Sequence, residues 1–276
     1  MPYFKLTLKN ITDYHKDGYI IVENFLTKDE VTKLSKVAFG DTNIIKHAFE
    51  LNDKTGKKTK LTEWYFPKND TYGLLTRSKR IVESVDKLMD GDGKVCHFHS
   101  KLMQKEPKVG GAWEWHQDYG YWYKNEFLFP DQMISVMVAI TDSTKENGCL
   151  QVIKGSHKMG RVEHGLSGEQ TGASQHYVDL ALKTMDLVYV ELKAGDALFF
   201  HSNLLHRSDA NLSNKPRWSL ISCYNRSYNI PYNEPSKSSV IPLEIVPDEA
   251  LTEWETDNIN ESVDFVSNYQ AEKKNT

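Results

Sequence analysis

Two short segments hold the residues best suited to chemistry. In Trp113-Glu114-Trp115-His116-Gln117-Asp118-Tyr119, an imidazole and a carboxylate stand two positions apart. Along an extended strand alternate side chains leave the same face, so His116 and Asp118 can converge on one point. Taken alone, the pair reads equally as two metal ligands or as a hydrogen-bonded couple at a strand edge. The second segment, Phe199-Phe200-His201-Ser202-Asn203-Leu204-Leu205-His206-Arg207-Ser208, follows a Gly195-Asp196 turn and places His206 where it could supply a third ligand. Two histidines and one carboxylate on one side of a metal leave the opposite positions open, which suits non-haem Fe(II) and O2 chemistry.

Further motifs accompany these two. Glu146-Asn147-Gly148-Cys149-Leu150 precedes Gly155-Ser156-His157-Lys158, and His206-x-Ser208-x-x-Asn211-x-Ser213 leads to Arg217. With Trp115-His116-Gln117-Asp118, they make the chain, from about 12 to 228, resemble the phytanoyl-CoA dioxygenase family of Fe(II)/2-oxoglutarate oxygenases. The intervals from Asp118 to His206 and from His206 to Arg217 also match those of family members. The resemblance implies an iron triad of His116, Asp118 and His206, with 2-oxoglutarate and O2 as co-substrates. It also implies that Arg217 grips the distal carboxylate of 2-oxoglutarate through its planar fork and that Ser208 donates a hydroxyl to the same end. Gln104 stands where relatives often carry an amide that touches the co-substrate. His157 is read as a buttress of its loop, and His97 and His99 as wall or core residues. Halogenases of this kind lack the carboxylate ligand, so Asp118 argues against halogenation.

The expected reaction removes hydrogen from a small, carboxylate-bearing metabolite and yields succinate and CO2, with hydroxylation, ring closure and desaturation all open. The alternatives are an acyl-CoA hydroxylase of the same family and a catalytically silent ligand-binding protein on the same fold. Tyr119, Tyr121 and Trp122 are expected to line the entrance. Arg161, His164 and Arg226 are candidate anchors for an anionic substrate. The basic run at 54–60 reads as a solvated loop, with a clamp for coenzyme A as the sharper alternative.

These residues need a scaffold of strands. Runs with strand composition fall at 95–104, 112–116, 133–141, 148–153, 187–192, 197–201 and 217–225, with turn residues between several of them. Many short strands without intervening helices predict a mainly β fold with flanking helices, a double-stranded β-helix of the cupin-like jelly-roll type. Helices are expected at 27 to about 39, where Thr27-x-x-Glu30 forms a capping box, and at 78–89, where apolar residues recur at helical spacing. The organisation expected over 1–276 is a single domain: a helical part at about 11–92, a jelly-roll core at about 94–228 and an extension at about 229–276. The stretch 155–186 reads as a functional loop or lid, and the polar tail after Asn258 is expected to fray.

Composition narrows the partners. A net charge of -4 argues against nucleic acid, which demands a basic surface. No apolar run is long enough to span a bilayer, so a small-molecule partner and a cytoplasmic location are expected, the oligomeric state being either monomer or dimer. Cys96, Cys149 and Cys223 are scattered through apolar strand-like runs and are expected to be reduced core residues.

Overall fold

The structure, a computed structural model, describes residues 3–232, 238–256 and 258–267. The chain begins with α1 (Leu8–Asp17), β1 (Tyr19–Val22), α2 (Lys28–Gly40), α3 (Thr42–Lys46), β2 (Phe49–Asn52) and β3 (Lys58–Trp64). Next come α4 (Thr71–Thr76), α5 (Lys79–Leu88), β4 (Val95–Lys105), β5 (Trp113–His116), α6 (Asp118–Trp122), β6 (Met133–Ala139) and β7 (Leu150–Ile153). The remainder is β8 (His164–Ser167), β9 (Gln170–Ala173), α7 (Gln175–Thr184), β10 (Leu187–Val190), β11 (Ala197–His201), β12 (His206–Ser208), β13 (Arg217–Arg226) and α8 (Ala250–Glu253).

A seven-stranded sheet runs in the order β1-β11-β6-β13-β4-β3-β2, a four-stranded sheet in the order β10-β7-β12-β5, and β8 pairs with β9. Neighbours within the large sheet are antiparallel. Both of its faces are covered, which is why β6 is buried along its whole length. Ile134, Val136 and Val138 on one side of β6 join Leu34, Tyr72, Ile81, Val85 and Leu220 against the helices. Met137 and Ala139 on the other join Leu150, Val152, Leu198 and Phe200 in the layer shared with the smaller sheet. This is the jelly roll with flanking helices, and the site lies on the inner face.

A bulge decides which side chains reach that face. Cys223 pairs with His99 but Tyr224 pairs with His97, leaving Phe98 as an extra residue in β4. Phe98 and His99 consequently both turn to Trp122, with ring centroids 5.3 and 5.8 Å away. His97 lies on the helix side, bonded to the Tyr65 carbonyl at 2.6 Å and Ser100 Oγ at 2.8 Å.

Three expectations are corrected. The part before residue 94 holds five helices and three strands, because the lysine-rich β3 reads as a loop yet alternates Thr59, Leu61 and Glu63 inward. The stretch 155–186 carries the β8–β9 hairpin and α7. It lacks strand signal because its residues are polar and β8 is largely exposed, whereas Gln170 at the start of β9 is buried and bonds Glu114 N and the Ala112 carbonyl, both at 3.0 Å. The tail is packed over 258–267, where Ile259, Val263 and Val266 are buried and the Val263 carbonyl accepts from Tyr65 N and Phe66 N, and the rest of the segment expected to fray lies outside the described residues. The three cysteines are free and buried.

The two expected helices form within a residue of their expected ends. At α2, Thr27 Oγ1 accepts from Glu30 N, and Glu30 Oε2 accepts from Thr27 N at 2.7 Å. Glu30 is wholly buried and also pairs with Arg80 of α5, so one carboxylate caps one helix and ties it to another. Glu30→Ala should destabilise the fold by about 3 kcal/mol, because it removes the closer of the two carboxylates that pair with the buried Arg80 and leaves only Asp248 at 3.5 Å. Urea unfolding monitored by circular dichroism measures the loss.

Candidate metal centre

His116 and His206 are direct partners across β5 and β12, and their rings lie 4.1 Å apart. Each Nδ1 faces a backbone carbonyl two residues back: Glu114 O at 2.7 Å for His116 and Leu204 O at 2.9 Å for His206. A carbonyl can only accept, so Nδ1 carries the proton and Nε2 keeps its lone pair for a metal. The two Nε2 atoms lie 4.0 and 3.9 Å from Asp118 Oδ1. Among the described residues, these three form the one group of histidine, cysteine or acidic side chains with metal-ligand spacing. The donor set fits a divalent metal with nitrogen and oxygen preference, Fe(II) included.

Asp118 arrives differently from the expected strand geometry. The strand ends at His116, and Asp118 is the first residue of α6. Gln117 fixes this break: its Nε2 donates to the Gly160 and Asn203 carbonyls, both at 2.7 Å, its Oε1 accepts from Val162 N at 2.8 Å, and its backbone N donates to His164 Nε2 at 3.0 Å. Ser135 of β6 donates to Asp118 Oδ2 at 2.5 Å. Burial alone would raise the Asp118 carboxyl, but Lys101, His206, His116 and Ser135 outweigh it and hold it at about 2. Burial, with the neighbouring His206 charge, keeps His116 well below the imidazole range, and burial also lowers His206. The site is thus an ionised carboxylate facing two neutral imidazoles.

A second cluster sits beside the triad. Arg217 and Lys105 pair across β13 and β4 on the inner face. Lys105 donates to Ser208 Oγ at 2.8 Å and to the Asp209 carbonyl. Arg217 contacts Ser143 Oγ at 3.3 Å and Met137 Sδ at 3.6 Å. Both cations are buried, and among the described residues no carboxylate makes an ion pair with either. Burial lowers both, Arg217 to about 10 and Lys105 well below the usual lysine value, with the Arg217 charge as a further cause for Lys105. Two adjacent buried basic side chains without a carboxylate partner suit a ligand that carries more than one negative charge. A small cavity lined by Thr59, Lys60, Met103, Gln104, Lys105, Trp113 and Arg217 opens here.

The remaining expected contacts separate. Gln104 alternates away from Lys105, and its Nε2 donates to Thr62 Oγ1 at 3.2 Å on the helix side of the sheet. Tyr121 meets His116 edge to face, with ring centroids 5.5 Å apart, and donates to the Thr171 carbonyl at 2.8 Å. Tyr119 is buried and donates to the Phe127 carbonyl at 2.6 Å, and Trp122 packs on Phe98 and His99. Of the anion anchors, His164 uses both ring nitrogens, toward Val162 O and Gln117 N, and burial pushes it down to about 4. Arg226 closes the end of α5, bonding the Asp86, Met89 and Asp90 carbonyls and pairing with the Asp86 carboxylate. Arg161 lies at the exposed rim, over the Tyr123 ring at 4.1 Å. Lys101 instead brings its ammonium to 4.0 Å from Asp118 Oδ1. Sequence reading missed Lys101, Lys105 and Ser135, whose signal is a polar residue at an inward position of an otherwise apolar strand.

The family pattern for phytanoyl-CoA dioxygenase (PhyH) matches residues 14–219. The chain is 26% identical over 233 residues to L-proline trans-4-hydroxylase from Streptomyces griseoviridis, covering 79% of this chain and 86% of that protein. It is also 26% identical over 256 residues to a phytanoyl-CoA dioxygenase from Arabidopsis thaliana, covering 77% and 86%. Among solved structures, the apo form of EctD from S. alaskensis superposes with a TM-score of 0.72 at 19% identity, covering 88% of each chain. The same protein has been crystallised with 2-oxoglutarate and 5-hydroxyectoine, and that form superposes with a TM-score of 0.68.

Two outcomes are expected of this site. Gln117→Ala should leave the chain folded but weaken Fe(II) or Co(II) binding about 10–100-fold, since it frees the segment that presents Asp118. Anaerobic metal titration reads this. Metal-free protein should also lose stability as pH falls below about 6.5, because the unfolded chain takes up protons there while His97, His116 and His206 stay neutral when folded. His97, held at about 3 by burial, contributes one of these protons, so urea midpoints of His97→Gln should fall less steeply with pH.

Proposed function

The chain belongs to the phytanoyl-CoA dioxygenase family and is an Fe(II)- and 2-oxoglutarate-dependent oxygenase; we propose that its substrate is a small metabolite bearing a carboxylate, such as an amino acid or a derivative of one. The observation that carries the co-substrate assignment is the buried cation pair beside the triad. Arg217 offers a planar fork to the distal carboxylate of 2-oxoglutarate, and Lys105 adds charge to the same end through an ammonium that Ser208 and the Asp209 carbonyl hold in place. Among the expected co-substrate contacts, Arg217 and Ser208 share this cluster, and Gln104 borders the same cavity while its side-chain amide bonds Thr62.

His116, Asp118 and His206 would hold the iron. Bound there with 2-oxoglutarate, iron supplies O2 activation coupled to oxidative decarboxylation, the means of removing hydrogen from an unactivated carbon. The protein holds the carboxylate ionised and the imidazoles neutral, and orients the co-substrate by charge. Phe98, Trp122, Phe127 and Tyr119 form an apolar cluster that excludes water beside the centre.

A small substrate is favoured over an acyl-CoA by the state of the basic run at 54–60. Lys58 pairs with Glu50 at 2.7 Å and Lys54 with Glu114 at 3.4 Å, so part of the charge that phosphates would need is already matched.

The experiment is succinate release with Fe(II) and 2-oxoglutarate across panels of amino acids, other small acids and acyl-CoA esters. Turnover with small acids is expected, and turnover confined to the CoA esters would overturn the substrate assignment. Arg217→Ala and Lys105→Met should each raise the 2-oxoglutarate requirement by about 2–5 kcal/mol, and Arg217→Lys by less than Arg217→Ala. Unchanged requirements would remove these residues as anchors.

A further inference from the structure

Four residues stand in register across the large sheet beside the metal centre. Phe200 of β11 pairs with Ser135 of β6, Ser135 with Cys223 of β13, and Cys223 with His99 of β4. Residues opposite one another on adjacent strands share a face. The row meets the triad at two points: the centroid of the Phe200 ring stands 5.1 Å from that of His206, and Ser135 Oγ donates to Asp118 Oδ2 at 2.5 Å. Ser135 is wholly buried, and its neighbours along β6 are all apolar and buried too. Packing of that strand gives no reason for a hydroxyl.

A hydroxyl has one proton to give. Ser135 gives it to Asp118, so at the 3.4 Å contact with Cys223 the serine oxygen accepts and the free, buried thiol donates. The two oxygens of Asp118 are thereby made unlike. Oδ1 stands 4.0 and 3.9 Å from the Nε2 atoms of His116 and His206, whereas Oδ2 is engaged by Ser135. Lys101 Nζ also approaches Oδ1, at 4.0 Å, longer than a hydrogen bond.

A carboxylate binds a metal through one oxygen or through both. One nitrogen from each histidine and one oxygen from Asp118 leave a six-coordinate metal enough positions for a chelating 2-keto acid and for O2, and a second carboxylate oxygen would take one of them. We propose that Ser135, backed by Cys223, is the positioning residue that restricts Asp118 to binding through Oδ1 and so keeps the position for O2 open. This assignment rests on the oxygenase reading above and deepens it.

The test compares Ser135→Thr with Ser135→Val, side chains of one shape of which only threonine keeps the hydroxyl. Circular dichroism checks that each variant is folded, and Ser135→Ala replaces Ser135→Val where valine does not fit. In Zn(II)-loaded protein with isotope-labelled aspartate, infrared difference spectra against the metal-free form give the separation of the two carboxylate stretches, wide for one bound oxygen and narrow for two. A wide separation is expected in the wild type and Ser135→Thr, and a narrow one in Ser135→Val. In anaerobic protein loaded with Fe(II) and 2-oxoglutarate, nitric oxide stands in for O2 and is followed by electron paramagnetic resonance. Half-saturation should need about 10-fold more nitric oxide in Ser135→Val than in Ser135→Thr, an effect of the size that outer partners of metal ligands carry. Cys223→Ala should move both readouts the same way by less, and a Cys223→Ala protein identical to the wild type would remove the thiol from the assignment. A wide separation with unchanged nitric oxide binding in Ser135→Val, equal changes in Ser135→Val and Ser135→Thr, or a narrow separation in the wild type each overturns the role of Ser135 while the oxygenase reading stands. If wild-type protein binds no metal or no 2-oxoglutarate, it is the underlying reading that falls.

Discussion

The register between β5 and β12 is the constraint on which the site depends. It sets His116 directly opposite His206, and the carbonyls of Glu114 and Leu204 turn both Nε2 atoms toward one point. Side chains alternate along a strand, so a shift of one residue in either strand would carry one imidazole to the opposite face. Gln117 secures the remaining ligand by ending the strand and holding the start of α6 against the 3-10 turn at Ser156–Met159 and the β11–β12 connection.

The charges on the inner face are divided along β4. Three inward positions carry His99, Lys101 and Lys105, with Met103 between the lysines. The two lysines serve different ends. Lys105 stands with Arg217 where a ligand with more than one negative charge fits, and Lys101 stands by Asp118 and Glu63. Cations buried as deeply as Lys105 and Arg217 are costly in a static fold. In a binding site the cost is offset when ligands of opposite charge arrive, which links the strand's composition to function.

Much of this was legible in the sequence. The His116-x-Asp118 pair, His206 and the later run to Arg217 stand out because polar residues interrupt apolar strand patterns, and Thr27 and Glu30 mark a helix start by their spacing alone. The convergence of the triad could be read, but not the means: Asp118 reaches the centre from a helix start, through Gln117, whose four hydrogen bonds come from segments distant in sequence. Gln104 and Lys105 are adjacent, and choosing between them requires the strand's facing, which the bulge at Phe98 shifts farther along. Arg226 and His164 have the right chemistry for an anion, yet the helix end and the Gln117 backbone engage them. Nor does the polar composition of His164–Ala173 announce a hairpin, since the register of β9 is set by contacts with β5 rather than by an apolar pattern of its own.

The most direct measurement is an anaerobic titration of Fe(II) and 2-oxoglutarate followed by visible absorption, because a 2-keto acid chelating Fe(II) gives a charge-transfer band that neither component shows alone. The account predicts a band that saturates at a single Fe(II) per chain, needs more 2-oxoglutarate in Arg217→Ala and is lost in His206→Ala. A wild-type protein without the band, or a His206→Ala protein that retains it in full, would contradict the central claim that this triad and its neighbouring cations form the oxygenase centre.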